Sequence, residues 1–245
     1  MTTVQRPYEH QAGVVTLDAR RGGTGRRWRR RLLAVTIVVV VVGLLGFVVY
    51  ATPLIAVRQV TVAGNAAVTT QQILDAARIE TGTPLVRLDL GAAQDRVAAV
   101  PQIAHATVTR SLGGAVRITV AERTPVFALQ VGPTSYQLVD KEAKIYLAVE
   151  HVPAGLLPVT MPSPTTRLLT DAGTVVTALP APLTARVATV EVTSPDRIVL
   201  HLTSGATVMW GSADQSALKA QVLTALLSVP ATSYDVSAPS HPATK

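Results

Sequence analysis

Hydrophobic positions fall into three regimes along this chain. Residues 32–50 run without a single charge, and 14 of these 19 residues are Leu, Ile, Val or Phe. As a helix such a run reaches about 28 Å, close to the roughly 30 Å of bilayer hydrocarbon. The β-branched stretch 38–42 favours a strand in water. In lipid, however, each backbone donor and acceptor must be paired within the segment, so the pattern predicts a membrane-spanning helix. A buried strand fails on length, since strands run about 3–10 residues.

Between residues 54 and 123 the signals alternate. Residues 57–62 read as a strand closed by Gly64-Asn65. Thr69 and Gln72 have capping-box spacing ahead of a helix that carries Ile73, Leu74 and Ala77 on one face. Asp89 can cap a second helix, with Leu90, Ala93, Val97 and Val100 in helical spacing and Pro101 as its stop. Two alternating strands follow, Ala104/Ala106/Val108 and Val116/Ile118/Val120, joined at Gly113-Gly114. The order is β-α-α-β-β, a sheet with one face under two helices.

Beyond Pro125 strand patterns dominate, at 126–131, 136–140 and 145–148. The passage holding Pro153, Pro158, Pro162 and Pro164 reads as loop. A helix is expected over 168–179, then a three-strand meander at 187–193, 198–203 and 206–210. Ser212 and Gln215 match a second capping box, opening a helix with Leu218, Val222 and Leu226 on its apolar face. Tyr234, Asp235, Val236 and Ser237 can form a last short strand before a polar tail over 238–245. The fold class is α+β, the last region being mostly antiparallel.

Charge adds an orientation. The formal net charge of the 245 residues is +7, but residues 1–31 hold eight Lys/Arg against two acids and the rest hold 14 against 13. The body is near neutral, so no nucleic-acid partner is expected. Arg26, Arg27, Arg29, Arg30 and Arg31 abut the apolar run on one side only, which places the N-terminus in the cytoplasm and residues 51–245 outside. Trp28 and Tyr50 flank the run as interfacial aromatics. The run exceeds the 7–15 residues of a signal-peptide core and no A-x-A site follows, so it reads as an anchor. The tail 1–31 lacks apolar periodicity and is expected to be disordered.

Candidate chemistry is sparse. Without cysteine there are no disulfides, thiolate metal sites or thiol nucleophiles. No nucleophile elbow, phosphate loop or metal-spaced histidine pair occurs. Asp140 and Glu142 stand two apart and can share a strand face, while the adjacent Glu122 and Arg123 point to opposite faces and suit a structural role at a domain junction. The expected reading is non-enzymatic, with no catalytic residue, cofactor or metal.

The β-α-α-β-β order after an N-terminal anchor resembles a POTRA domain. The segments Pro101-Gln102-Ile103-Ala104-His105-Ala106-Thr107-Val108-Thr109-Arg110 and Arg117-Ile118-Thr119-Val120-Ala121-Glu122-Arg123-Thr124-Pro125-Val126 resemble the FtsQ/DivIB family of bacterial cell-division proteins. Ser111-Leu112-Gly113-Gly114 departs from the Trp-Pro pair common at that hairpin, and Ala143 stands where a glycine is usual after Leu138-Val139-Asp140. The resemblance implies a cytoplasmic tail (1–31), a transmembrane helix (32–50), a POTRA domain (54–123), a β domain (124–237) and a polar tail (238–245). It also implies a septal scaffold in the cell membrane that binds FtsB- and FtsL-like partners and so meets the septal peptidoglycan synthesis machinery. Partner binding is expected at the last strand, through Tyr234, Asp235, Val236, Ser237 and Ala238, whose free edge can accept a partner strand. The competing reading is a signal-anchored cell-envelope enzyme such as a wall hydrolase, acting through Asp140, Glu142 or His201. A POTRA-bearing outer-membrane barrel would need many more alternating strands.

Overall fold

The computed structural model describes residues 24–51, 56–111 and 113–245. The chain divides into two compact units, residues 1–54 and 55–245.

The described residues of the first unit form one helix, α1 (Thr24–Ala51). The disorder expected for residues 1–31 lies outside the described residues as far as residue 23, and from Thr24 onward it is replaced by helix. Arginine is a good helix former, and extending an existing helix needs no new nucleus. The described side chains of α1, including Trp28, Leu32, Ile37, Leu44 and Phe47, are exposed. The Thr36 hydroxyl donates to the Leu32 carbonyl and so is satisfied within the helix. Among the described residues no helix is long and apolar enough to cross a membrane, side chains being described without a break only over 28–44.

The second unit begins with β1 (Gln59–Ala63), α2 (Thr70–Ala77), α3 (Leu90–Ala98), β2 (Ile103–Ser111) and β3 (Ala115–Glu122). The three strands lie in the order β1-β3-β2. β1 runs parallel to β3 with Val62 beside Ile118, and β2 runs antiparallel to it with Val108 beside Ile118. Val116, Ile118 and Val120 point to one side and bury against Ile73 and Ala77 of α2 and Val97 of α3. The capping box is made in full: Gln72 N–H donates to Thr69 Oγ1 (3.2 Å), and Thr69 N–H donates to Gln72 Oε1 (2.9 Å). Asp89 caps α3 by accepting from Ala92 N (2.9 Å). β1 starts two residues later than its pattern suggests, because Val57 N bonds Thr83 O and Arg58 N bonds Gly114 O instead. Gly64 has φ +86°, and a Cβ there would fall 2.1 Å from Val120 O.

The remaining strands are β4 (Pro125–Gly132), β5 (Ser135–Asp140), β6 (Ile145–Val149), β7 (Pro158–Thr160), β8 (Val187–Ser194), β9 (Arg197–Leu202), β10 (Thr207–Gly211), β11 (Ser233–Asp235) and β12 (Ala243–Thr244). They form one sheet in the order β12-β11-β10-β9-β8-β7-β4-β5-β6. Two antiparallel meanders, β4-β5-β6 and β8-β9-β10, are joined by β7, which is parallel to β4 on one side and to β8 on the other. The proline-rich passage is therefore not all loop. Pro158 occupies the first position of β7, where a missing N–H is tolerated.

Two helices complete the core, α4 (Thr166–Ala178) and α6 (Ser216–Leu226), with the short α5 (Ala181–Thr184) between them in sequence. Leu168, Leu169, Ala172 and Val175 of α4 join Phe127, Val159, Val190 and Trp210 of the sheet in one buried cluster. The expected second capping box does not form. Gln215 takes φ +54° without a side-chain cap, and Ser212 Oγ bonds within its own turn, to Asp214. The apolar face of α6 is also rotated from expectation: Leu218 is exposed, whereas Ser216, Lys219, Ala220 and Leu223 are buried. Lys219, at 2 % exposure, donates to Trp210 O (3.0 Å) and Ser212 O (2.8 Å), and so fastens α6 to the end of β10.

Candidate functional site

Glu122 ends β3 and Arg123 follows it directly, the two side chains turning to opposite sides as neighbours on extended chain do. The Glu122 carboxylate accepts from three successive amides, Ala66 (2.7 Å), Ala67 (2.9 Å) and Val68 (2.9 Å), which closes the turn before α2. Burial pushes this carboxyl up, but the three N–H groups outweigh it and hold it below the ordinary range. Arg123 faces the large sheet. It is ion-paired with Asp140, lies 3.5 Å from Glu142, and has a buried Nε without a hydrogen-bond partner among the described residues. Asp140, 4 % exposed, also accepts from Glu142 N and Lys144 N, both at 2.9 Å. Burial raises its carboxyl, but the Lys144 amide, the Arg123 guanidinium and the Glu142 amide prevail and lower it. The tight turn this carboxylate organises puts Ala143 in the left-handed region at φ +58°.

Asp140 and Glu142 thus converge on a cation of the chain itself. His201 instead bonds Glu191 across β8 and β9 at 3.0 Å, both half-exposed. The hydrogen bond from His201 is the main reason the Glu191 carboxyl is lowered, ahead of the opposing burial. Four strand spacings separate β9 from β5 in the sheet order, about 19 Å at roughly 4.8 Å each. His201 and Asp140 therefore cannot act on one bond. Among the described residues no cluster of His, Asp and Glu could hold a metal ion.

The last strand differs from expectation in two respects. Tyr234 and Val236 are buried core residues, and only Asp235, Ser237 and Ala238 are exposed. The Val236 N–H is spent inside the sheet, on Met209 O at 3.0 Å, so replacing it by proline would damage the fold rather than probe a partner surface. The outer edge of β11 is also not bare. The tail expected to be merely polar folds back as β12, and Lys245 O accepts from Thr232 N (2.8 Å), Ser233 N (2.9 Å) and Thr232 Oγ1 (2.9 Å).

Beside this edge a groove of about 350 Å³ is lined by Arg186, Leu202, Leu227, Pro230, Ala231 and Tyr234. A second hollow of about 340 Å³ shares Arg186 and Leu227 and adds Pro180, Pro182 and Leu183. Arg186 is exposed, and its guanidinium has no ion pair among the described residues. No local pattern in the sequence marks this groove, because its walls come from three separate stretches, at 186, 202–204 and 227–234. Of the N-terminal arginines, Arg29, Arg30 and Arg31 are exposed on α1, and Arg26 and Arg27 lie in the same helical backbone.

The profile of the POTRA domain, FtsQ-type, matches residues 55–123, and that of the C-terminal region of cell division protein FtsQ/DivIB matches residues 128–237. The cell division protein FtsQ of Mycobacteroides abscessus is 38% identical over 216 residues, covering 87% of this chain and 69% of its own. The chain belongs to the FtsQ family of cell division proteins. FtsQ of Streptomyces bingchenggensis is likewise 38% identical, over 88% of this chain and 86% of its own. FtsQ of Mycobacterium tuberculosis is 35% identical over 88% and 69%. The extracytoplasmic domain of DivIB from Geobacillus stearothermophilus superposes on 44% of this chain and 93% of its own, with a TM-score of 0.36 and 14% identity. Within the FtsQ-type POTRA region, Glu122 and Arg123 form the last link before the β domain.

Proposed function

We propose that this FtsQ-family chain is a membrane-anchored, non-enzymatic scaffold of the division septum that binds FtsB- and FtsL-like partners outside the membrane. The groove at Arg186 beside the C-terminal edge carries this reading. It joins apolar walls to an exposed cation without an ion pair among the described residues, which suits an apolar partner segment bearing an acidic residue. The edge strands next to it let such a segment continue as a strand, either by adding to β12 or by replacing it. Partner contacts on the strand side then fall to Asp235, Ser237 and Ala238. The side chains a hydrolase would use support a scaffold: Asp140 and Glu142 hold Arg123, and His201 stands far from both.

The anchor is residues 32–50. Apolar side chains exposed around α1 need a non-aqueous surrounding, and lipid supplies it. Arg26, Arg27, Arg29, Arg30 and Arg31 keep residues 1–31 in the cytoplasm. The POTRA domain (54–123) and β domain (124–237) then stand outside, at the septum.

The test is capture of the full chain in detergent by the extracytoplasmic segments of FtsB- and FtsL-like proteins. The parent should bind, and Arg186→Glu should weaken binding at least tenfold with unchanged thermal unfolding. Failure of the parent to bind would remove the scaffold reading; equal binding by both would move the contact away from the groove.

A further inference from the structure

The two ends of the large sheet are not alike. One end finishes in the short strand β12; the other finishes in β6, whose outer side no strand covers among the described residues. The direction of its backbone groups follows from the neighbouring strands. Ala128 N donates to Leu157 O toward β7, so Phe127 and Leu129 face β5, where they pair with Val139 and Gln137. Tyr136 and Leu138 of β5 are then turned toward β6, opposite Val149 and Leu147, and the bond from Asp140 N to Lys144 O agrees. By antiparallel alternation Ala148, and across the bulge Tyr146, direct their N–H and C=O groups outward. Among the described residues these groups have no backbone partner.

Residues 144–150 read Lys-Ile-Tyr-Leu-Ala-Val-Glu. The strand itself is uncharged and free of proline, and the bulge is the one device on it that discourages pairing. Lys144 and Glu150 flank it, both exposed and neither in an ion pair among the described residues. Residues 144–148 border a hollow of about 470 Å³ whose other wall includes Ala99 and Pro101 of the POTRA region.

We infer that the β6 edge is a self-association surface that pairs antiparallel with β6 of a second copy of this chain, about a two-fold axis at Leu147. This register is the one that sets Lys144 against Glu150 of the second copy at both ends. It also puts Tyr146 opposite Ala148 in the hydrogen-bonded pairs, Ile145 opposite Val149, and Leu147 opposite itself in a non-hydrogen-bonded pair. Outward groups on residues 146 and 148 meet their counterparts only if the paired numbers sum to an even value, and of those registers this one opposes unlike charges. The strand is short, so the contact is weak and suited to regulated assembly rather than a permanent dimer. The surface is distinct from the groove at Arg186 and does not depend on it.

The chain has no cysteine, which makes the test clean. The full chain in detergent, carrying Leu147→Cys, should form disulfide-linked dimers on mild oxidation, since facing residues of a non-hydrogen-bonded pair lie within disulfide reach. Ala148→Cys, which faces Tyr146, and Leu218→Cys, on the exposed side of α6, should not. Adding Lys144→Glu, or separately Glu150→Lys, should cut the dimer fraction about tenfold by replacing two attractions with two repulsions. Combining both should restore it. No crosslink from Leu147→Cys above the Leu218→Cys level, a stronger crosslink from Ala148→Cys, or no recovery in the charge swap would each overturn the inference.

Discussion

Replacing Arg123 with methionine tests whether the joint between the POTRA region and the β domain is held by charge. The substitution keeps most of the apolar stem and removes the guanidinium that neutralises Asp140, a carboxylate only 4 % exposed. Breaking a buried pair from one side costs about 3–5 kcal/mol. Two features pull this toward the lower end. Asp140 keeps the amides of Glu142 and Lys144, and the variant removes a buried Nε that has no partner among the described residues. The expected loss is about 3 kcal/mol. Asp140→Asn should cost only about 1–2 kcal/mol, because the amide oxygen can still accept both N–H groups and Glu142 can close on Arg123 from 3.5 Å. The double variant should be less destabilised than the sum by about 1–2 kcal/mol. Urea unfolding of residues 55–245, followed by the fluorescence of the fully buried Trp210, reads all four states. The sign with pH is fixed as well. The folded pKa of Asp140 lies below its unfolded value, so its contribution is complete above about pH 4 and drains away as pH falls through the folded value. Because Arg123→Met shrinks that depression, its stability gap from the parent should narrow below about pH 4. Additivity within about 0.5 kcal/mol, or a gap that widens in acid, would refute the charge-held joint.

Other expectations concern the backbone. Glu122→Gln should raise hydrogen exchange at Ala66, Ala67 and Val68 and cost about 1 kcal/mol, since a neutral amide oxygen accepts more weakly than the carboxylate. The parent should show the same local loosening as pH falls through the lowered pKa of Glu122. Gly64→Ala should lower thermal stability by more than about 2 kcal/mol, as the new Cβ meets Val120 O at 2.1 Å in a left-handed conformation. Ala143→Gly should raise the urea midpoint by about 0.5–1 kcal/mol equivalent, because glycine adopts φ +58° without strain.

Legibility from sequence followed the range of the interactions. The caps of α2 and α3 were readable because Thr69, Gln72 and Asp89 bond to residues three positions away. The alternating faces of β2 and β3 were readable for the same local reason. β7 was not: a three-residue strand opening with proline gives no period, and its place in mid-sheet depends on β4 and β8, each about 30 residues away. The face of α6 departs from its sequence pattern because Lys219 reads as a solvent residue, whereas the carbonyls of Trp210 and Ser212 receive it inside the fold. At the candidate sites, the opposed directions of Glu122 and Arg123 could be read from strand geometry alone. The Arg123 partner, the groove at Arg186 and the fold-back of β12 could not, because each joins segments that only the tertiary fold brings together.

The position of β7 has a mechanical consequence. Its ladder with β4 extends over three residues and its ladder with β8 over two, and among the described residues no other strand links the two meanders. A tension pulling the meanders apart would meet very few hydrogen bonds at that seam. What resists it is the shared apolar cluster, in which α4 lies across strands of both halves like a strap. Under load the domain should therefore yield by peeling this helix from the sheet, and its tensile strength is set by Leu168, Leu169, Ala172 and Val175 more than by the continuity of the strands.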